Sequence, residues 1–215
     1  MNKTKPILMS TPMVIAILDG RKTQTRRVCK ALENYDFSWG LDRKPYIGDY
    51  RTFAKVAPRK WDNVTLENVW LYDLQTAVDE SKPYVLKPSY QPGDILWVRE
   101  TWSKDENGEY VYRTNYGTTE DDSFPPSMFK WKPSIHMPRE AARIFLRVTN
   151  VRVERVQDIT AHDAIREGME SEIPFDTVDE FKELWNNLNA KRGYSWESNP
   201  WVWVIDFERL GEEPS

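Results

Sequence analysis

The chain is predicted to be an α+β domain: a curled or closed β-sheet with short peripheral helices and one large insertion. Three observations predict it. Apolar strand-like runs recur near the start, the middle and the end of the sequence, they meet mostly through turn or hairpin signals, and the helical segments between them are short and sharply punctuated. A doubly wound parallel sheet fits this order less well.

At 215 residues, 40% hydrophobic and 30% charged, the composition is that of a folded globule with a real core, read as one domain over 1–215. No internal repeat or low-complexity tract breaks it. An apolar run of about 18 residues, the length needed to cross a bilayer, occurs nowhere, and Met1 to Pro6 leads into only a short apolar patch. The expectation is therefore a cytoplasmic protein, in the host cytoplasm if phage-encoded, with no membrane partner. Cys29 is the only cysteine, which excludes an intramolecular disulfide and suits a reducing compartment.

The first helical signal is Ser10 to Gly20, where Thr11 is placed to cap, Pro12 suits the first turn and Gly20 supplies the left-handed stop. Met13, Val14, Ile17 and Leu18 form its inward face. A strand is expected over Lys22 to Val28, with Lys22, Gln24 and Arg26 on one face and Thr23 and Thr25 on the other. Periodicity then weakens, and the region of about 30–88 reads as the insertion, with Val64 to Tyr72 as a strand candidate inside it.

After the turn Pro92-Gly93-Asp94, Ile95 to Arg99 is a buried strand, and Asn107-Gly108 between Trp102 and Arg113 signals a hairpin. A proline-rich embellishment follows over about 118–140. Ala142 to Val156 gives one or two strands, with Ile144, Leu146 and Val148 on one face and Arg143, Phe145 and Arg147 on the other. Asp158 to Gly168 is a second helix capped by Thr160 and stopped by Gly168. Thr177 to Arg192 is a third, opened by Thr177 and Glu180, buried through Phe181, Leu184, Trp185 and Leu188, and ended by Gly193. Trp201 to Glu208 closes the chain as a central strand.

Several chemistries lack their parts. With His136, His162 and one cysteine there is no zinc set of the usual kind, so no metal is expected, and no phosphate-binding glycine loop or nucleophile elbow is present, so no cofactor is expected either. A net charge of −4, from 30 basic and 34 acidic residues, disfavours a broad nucleic-acid coat and restricts any such contact to a local basic cluster. One such cluster lies at Arg21, Lys22, Arg26, Arg27 and Lys30. There the turn Gly20 to Arg26 holds cations and hydroxyls between two rigid elements, and a partly enclosed lysine loses proton affinity and polarises a neighbouring hydroxyl.

Four segments in order, Ile17 to Arg26, Pro92 to Val98, Ile159 to Met169 and Val202 to Phe207, resemble the ASCH domain family of the PUA-like superfamily. The run Trp97-Val98-Arg99-Glu100-Thr101-Trp102 is similar to longer phage and prophage members. The resemblance implies a small β-barrel with a cleft beside the first helix that binds RNA, a nucleotide or a modified nucleoside. It also implies, by analogy with small bacterial members, an amidohydrolase that removes the acyl group of N4-acylated cytidine through a lysine, a threonine and a glutamate. Carried over by position, these fall on Lys22, Thr25 and Glu167, with Gly20, Arg21, Arg26 and Arg27 as substrate-binding neighbours.

Arg99, Glu100 and Trp102 form a second candidate set, in which an arginine and a glutamate read a base edge and an indole stacks on it. Three functions are carried forward: base or nucleotide binding in the cleft, the amidohydrolase, and a phage accessory protein that binds a host protein or a signalling nucleotide.

Overall fold

The computed structural model describes residues 4–30, 88–116, 129–170 and 177–211, and within them the chain is α+β. In chain order the elements are β1 (Thr4–Leu8), α1 (Thr11–Leu18), β2 (Gln24–Val28), β3 (Ile95–Arg99), β4 (Trp102–Lys104), β5 (Tyr110–Tyr112), β6 (Phe145–Arg155), α2 (Ala161–Arg166), α3 (Thr177–Asn189) and β7 (Trp201–Leu210). Five strands form one sheet in the order β1-β3-β6-β7-β2, while β4 and β5 make the hairpin foreseen around Asn107-Gly108. Among the described strands only the β1–β3 pair is parallel. Among the described residues β1 and β2 are the two edges and do not pair, so the sheet is open there. The expected insertion, apart from its two end residues, and the strand candidate at 64–72 lie outside the described residues.

β1 is absent from the sequence reading. Pro6 sits in its middle, and a residue without an N–H is tolerated in a ladder only at an edge, where β1 lies. Two further corrections concern helix α1 and helix α3. Ser10, with extended backbone, takes the cap position of α1, and Thr11 is its first helical residue. Leu188, expected to be inward, is 47% exposed, because α3 buries mainly Thr177, Phe181 and Trp185.

β7, expected to be central, is an interior strand between β6 and the edge strand β2, with β6 at the middle of the described sheet, and it is buried over Trp201 to Phe207 on both faces. Trp201, Trp203, Ile205 and Phe207 pack with Val14 and Ile17 of α1, while Val202 and Val204 pack with Ala164 of α2 and Phe181 and Trp185 of α3. α1 thus packs on one face of the sheet, and α2 and α3 pack on the other. Phe145, placed by its spacing among the arginines, is instead buried with Ile95 and Trp97 in a small cluster of its own.

A bulge in β6 decides what faces α2. The register against β7 runs Val148 to Phe207 and then Asn150 to Asp206, leaving Thr149 as the extra residue. The insertion reverses side-chain parity, so Ile144, Leu146 and Val148 share the α1-side core with Val151 and Val153. Asn150, Arg152 and Glu154 consequently point to the α2 side, opposite Asp206 and Val204.

A buried charge network beside a cavity at the edge of β2

Helix α1 ends as its punctuation requires, with Gly20 at φ +77° and its amide donating to the Ile17 carbonyl. The chain then folds back: the Lys22 amide donates to the Ala16 carbonyl at 2.9 Å, and the Thr23 amide donates to the Arg166 carbonyl at 2.9 Å. β2 begins at Gln24 and pairs with β7, so the loop carrying Lys22 is pinned to α1, α2 and the sheet together.

Helix α2 has an equally firm frame. Thr160 and Asp163 form a reciprocal capping box, and the Gly168 and Met169 amides donate to the Ile165 and Ala164 carbonyls in a Schellman ending. Gly168 has φ +97°, and a Cβ there would lie 2.9 Å from the Ala16 Cβ and 3.3 Å from the Lys22 Cβ. Glycine is therefore what lets the end of α2 lie against α1. Glu167, the residue just before it, is delivered directly onto Lys22.

Lys22 and Glu167 are both buried, at 2% and 3% exposure. The Lys22 ammonium donates to Glu167 Oε2 at 2.8 Å, to the Glu167 carbonyl at 2.7 Å and to the Gln24 carbonyl at 2.8 Å, which uses all three of its protons. Arg26 Nη1 donates to the other carboxylate oxygen, Oε1, at 3.2 Å, and Nη2 lies 3.3 Å from Glu154 and 3.6 Å from Asp163. Arg152 bridges Glu154 and Asp206 at 2.6 Å each, and Arg166 reaches Asp206 at 2.8 Å. With its amide nitrogen turned toward Asp163, Gln24 accepts from Arg26 and Arg152. Lys22, Arg26, Arg152 and Arg166 are thus answered by Glu154, Asp163, Glu167 and Asp206.

Burial sets the electrostatics. It pulls the proton affinity of Lys22 below that of an ordinary lysine; the Glu167 carboxylate opposes this, and the Arg27 and Arg26 charges add to it. Burial alone would raise the Asp163 carboxyl, yet its hydrogen bonds with Thr160 and the Arg26 and Arg152 charges outweigh burial and hold it below its usual value.

Beside this network lies a cavity of about 570 Å³, within the size range of small-molecule sites. Thr25, Arg26 and Glu167 supply polar wall, Tyr90, Phe181, Trp185 and Trp203 supply aromatic wall, and Arg27, Lys30, Asn189 and Arg192 stand among its more exposed lining. The Arg26 guanidinium lies 5.8 Å from the centre of the Phe181 ring. Thr25 pairs with Ile205 and Arg26 with Val204, so adjacent residues face opposite sides of the sheet and the cavity wraps the edge of β2. Lys22 is not in the lining. It stands behind Glu167 and fixes it.

Of the residues singled out in the sequence, the structure brings together Lys22, Thr25, Arg26, Arg27 and Glu167. Gly20 and Arg21 lie on the outer side of the same turn, where Arg21 contacts the Gly168 carbonyl, Asp19 and Glu170. Arg99, Glu100 and Trp102 do not join the cavity. Glu100 accepts from Arg143 at 2.9 and 3.0 Å and from Thr114 at 3.0 Å, Trp102 packs with Met137 and Ala141, and Arg99 donates to the Ile135 carbonyl and stacks on Trp97.

Sequence reasoning missed the cavity's aromatic wall, because Phe181 and Trp185 read only as the buried stripe of a helix. It also missed Arg152 and Asp206. The available signal was Asp206 itself, an acid inside an apolar interior strand, which has to be paired when buried.

Among the described residues no group of His, Cys, Asp and Glu side chains is arranged to hold a metal, and no helix is long and apolar enough to cross a membrane. The chain matches no protein-family model, and no curated protein and no solved structure matches it.

Proposed function

We propose that the cavity at the edge of β2 receives a nucleobase, carried by RNA, a nucleotide or a modified nucleoside. The observation that carries this reading is the Glu167 carboxylate, clamped by Lys22 and Arg26 at the wall of a cavity whose other walls are aromatic. A flat heterocycle matches both halves of such a site: its faces stack on Phe181 or Trp185, and its ring or exocyclic N–H groups donate to a carboxylate that is already oriented. Each Glu167 oxygen takes one described side-chain donor, which leaves acceptor capacity for a ligand. The Thr25 hydroxyl adds a group that both donates and accepts.

The same reading takes the domain as an ASCH-type, PUA-like barrel closing between β1 and β2. In its support, Arg27 at the β2 edge donates to the Leu8 carbonyl at the end of β1, at 2.7 Å. A thermal-shift screen of ribonucleosides, N4-acetylcytidine and short RNA tests the binding: a native-state ligand raises the melting temperature, and the rise is expected to be lost in Glu167→Ala. A ligand that stabilises the wild type and Glu167→Ala equally contradicts the site.

One observation favours a second reading, amide hydrolysis. A lysine of lowered proton affinity touches a carboxylate at the cavity wall, an arrangement suited to moving a proton. In that reading water adds to the acyl carbon, Glu167 takes its proton, and the amine leaves with a proton returned to it. Incubation with N4-acetylcytidine is expected to release acetate and cytidine with wild type and not with Lys22→Ala. Equal release from both removes the reading.

A further inference from the structure

The cavity carries an imbalance of charge that a base alone does not answer. Arg26 and Lys22 are matched by Glu167, but Arg27, Lys30 and Arg192 form no ion pair with a described carboxylate. Arg27 spends one Nη on the Leu8 carbonyl and the Met9 sulfur; burial lowers its proton affinity, Tyr90 and Glu167 oppose this, and the Arg192 charge adds to it. Like charges gathered at a cavity are unfavourable without an anion between them, and here they gather in a chain whose net charge is −4. Arg26, which also lines the cavity, has its Nε buried with no hydrogen-bond acceptor among the described residues.

We infer that Arg27, Lys30 and Arg192 form a phosphate subsite at the open end of the cavity, so that the ligand is a phosphate ester of a nucleoside. The inference rests on the base-binding reading above and narrows it: the heterocycle lies between Glu167 and the aromatic wall, and the phosphate reaches the three cations. Arginine suits the task through its planar fork of donors, and the lysine adds a point charge.

The test titrates wild type and the Lys30→Gln/Arg192→Gln double variant with the four ribonucleosides, their 5′-monophosphates, a short single-stranded RNA of mixed sequence, and pyrophosphate. Wild type is expected to bind the matching monophosphate about tenfold more tightly than its nucleoside at low salt, a ratio that falls toward one in the double variant and in high salt. Tighter binding of the RNA than of the monophosphate assigns the phosphate to a strand, and equal binding assigns it to a free nucleotide. A nucleoside that binds as tightly as its monophosphate overturns the subsite while leaving the base site standing. If no nucleoside or nucleotide binds, the base reading fails. The subsite then stands only if pyrophosphate binds wild type and not the double variant, and it falls otherwise.

Discussion

Lys22 and Glu167, 145 positions apart in the chain, meet twice: the lysine ammonium contacts both the side-chain carboxylate, at 2.8 Å, and the backbone carbonyl, at 2.7 Å, of the same glutamate. Holding a residue by main chain and side chain together fixes its rotamer as well as its position. The helix end that presents Glu167 and the turn that presents Lys22 are therefore one rigid unit, and Arg26 completes it from the other carboxylate oxygen.

Lys22→Ala leaves Glu167 buried with only Arg26 in contact and is expected to lower stability by about 3–5 kcal/mol, as loss of one partner of a buried pair does. Urea unfolding at neutral pH measures it. A loss below about 1 kcal/mol, typical of an exposed pair, contradicts the buried geometry.

Gly168→Ala and Gly20→Ala separate backbone strain from crowding. Both glycines have positive φ, but a Cβ at Gly20 meets nothing within 4 Å, whereas at Gly168 it lies 2.9 Å from the Ala16 Cβ. Gly20→Ala is expected to cost about 1–2 kcal/mol. Gly168→Ala is expected to cost more than that and also to weaken ligand binding, since relief of the clash moves the end of α2 that carries Glu167. Equal melting temperatures for the two variants contradict the close approach of α1 and α2.

Asp163 gives the charge network an acid limb. Its carboxyl is held below the usual value in the folded state, so the unfolded chain takes up the proton first as pH falls. Its contribution to stability is therefore complete above the ordinary aspartate range and disappears as pH drops through the lowered folded value. In wild type against Asp163→Asn, the stability difference is expected to be largest near neutral pH and to shrink on acidification. A difference that does not change with pH contradicts the assignment.

Much of this frame was legible because it is written in local chemistry. Thr160, Asp163 and Gly168 specify where α2 starts and stops, and that fixes Glu167 at its end. Gly20 does the same for the turn before Lys22. β1 was not legible, since its partner β3 lies about 90 residues on in sequence and Pro6 argues against a strand until an edge position is known. The contribution of β6 was hidden for a related reason: one extra residue, Thr149, decides whether Arg152 and Glu154 face the core of α1 or the charge network, and no local signal marks the bulge. The second candidate set shows the opposite failure. Arg99, Glu100 and Trp102 carry suggestive side chains, but two of their partners, Ile135 and Met137, come from the proline-rich stretch, in which the sequence marks no element, and the third, Arg143, reads only as a face of a strand.

That separation is itself testable. Glu100 is buried and holds Arg143 and Thr114, so Glu100→Ala is expected to destabilise the fold by about 3–5 kcal/mol. Neither Glu100 nor its hydrogen-bond partners Arg143, Thr114 and Met137 line the cavity, so below the variant's melting temperature ligand affinity is expected to stay within about twofold of wild type. A loss of affinity comparable to that of a cavity variant contradicts the separation.

The most direct measurement is isothermal titration of the ligand that raises the melting temperature most into wild type and Glu167→Gln. The amide keeps an acceptor for Lys22 while removing the negative charge that faces the cavity. Retained folding with affinity lowered at least tenfold, roughly the value of one charge-assisted hydrogen bond, is the result expected if the clamped carboxylate receives the base. Unchanged affinity in a folded Glu167→Gln contradicts it.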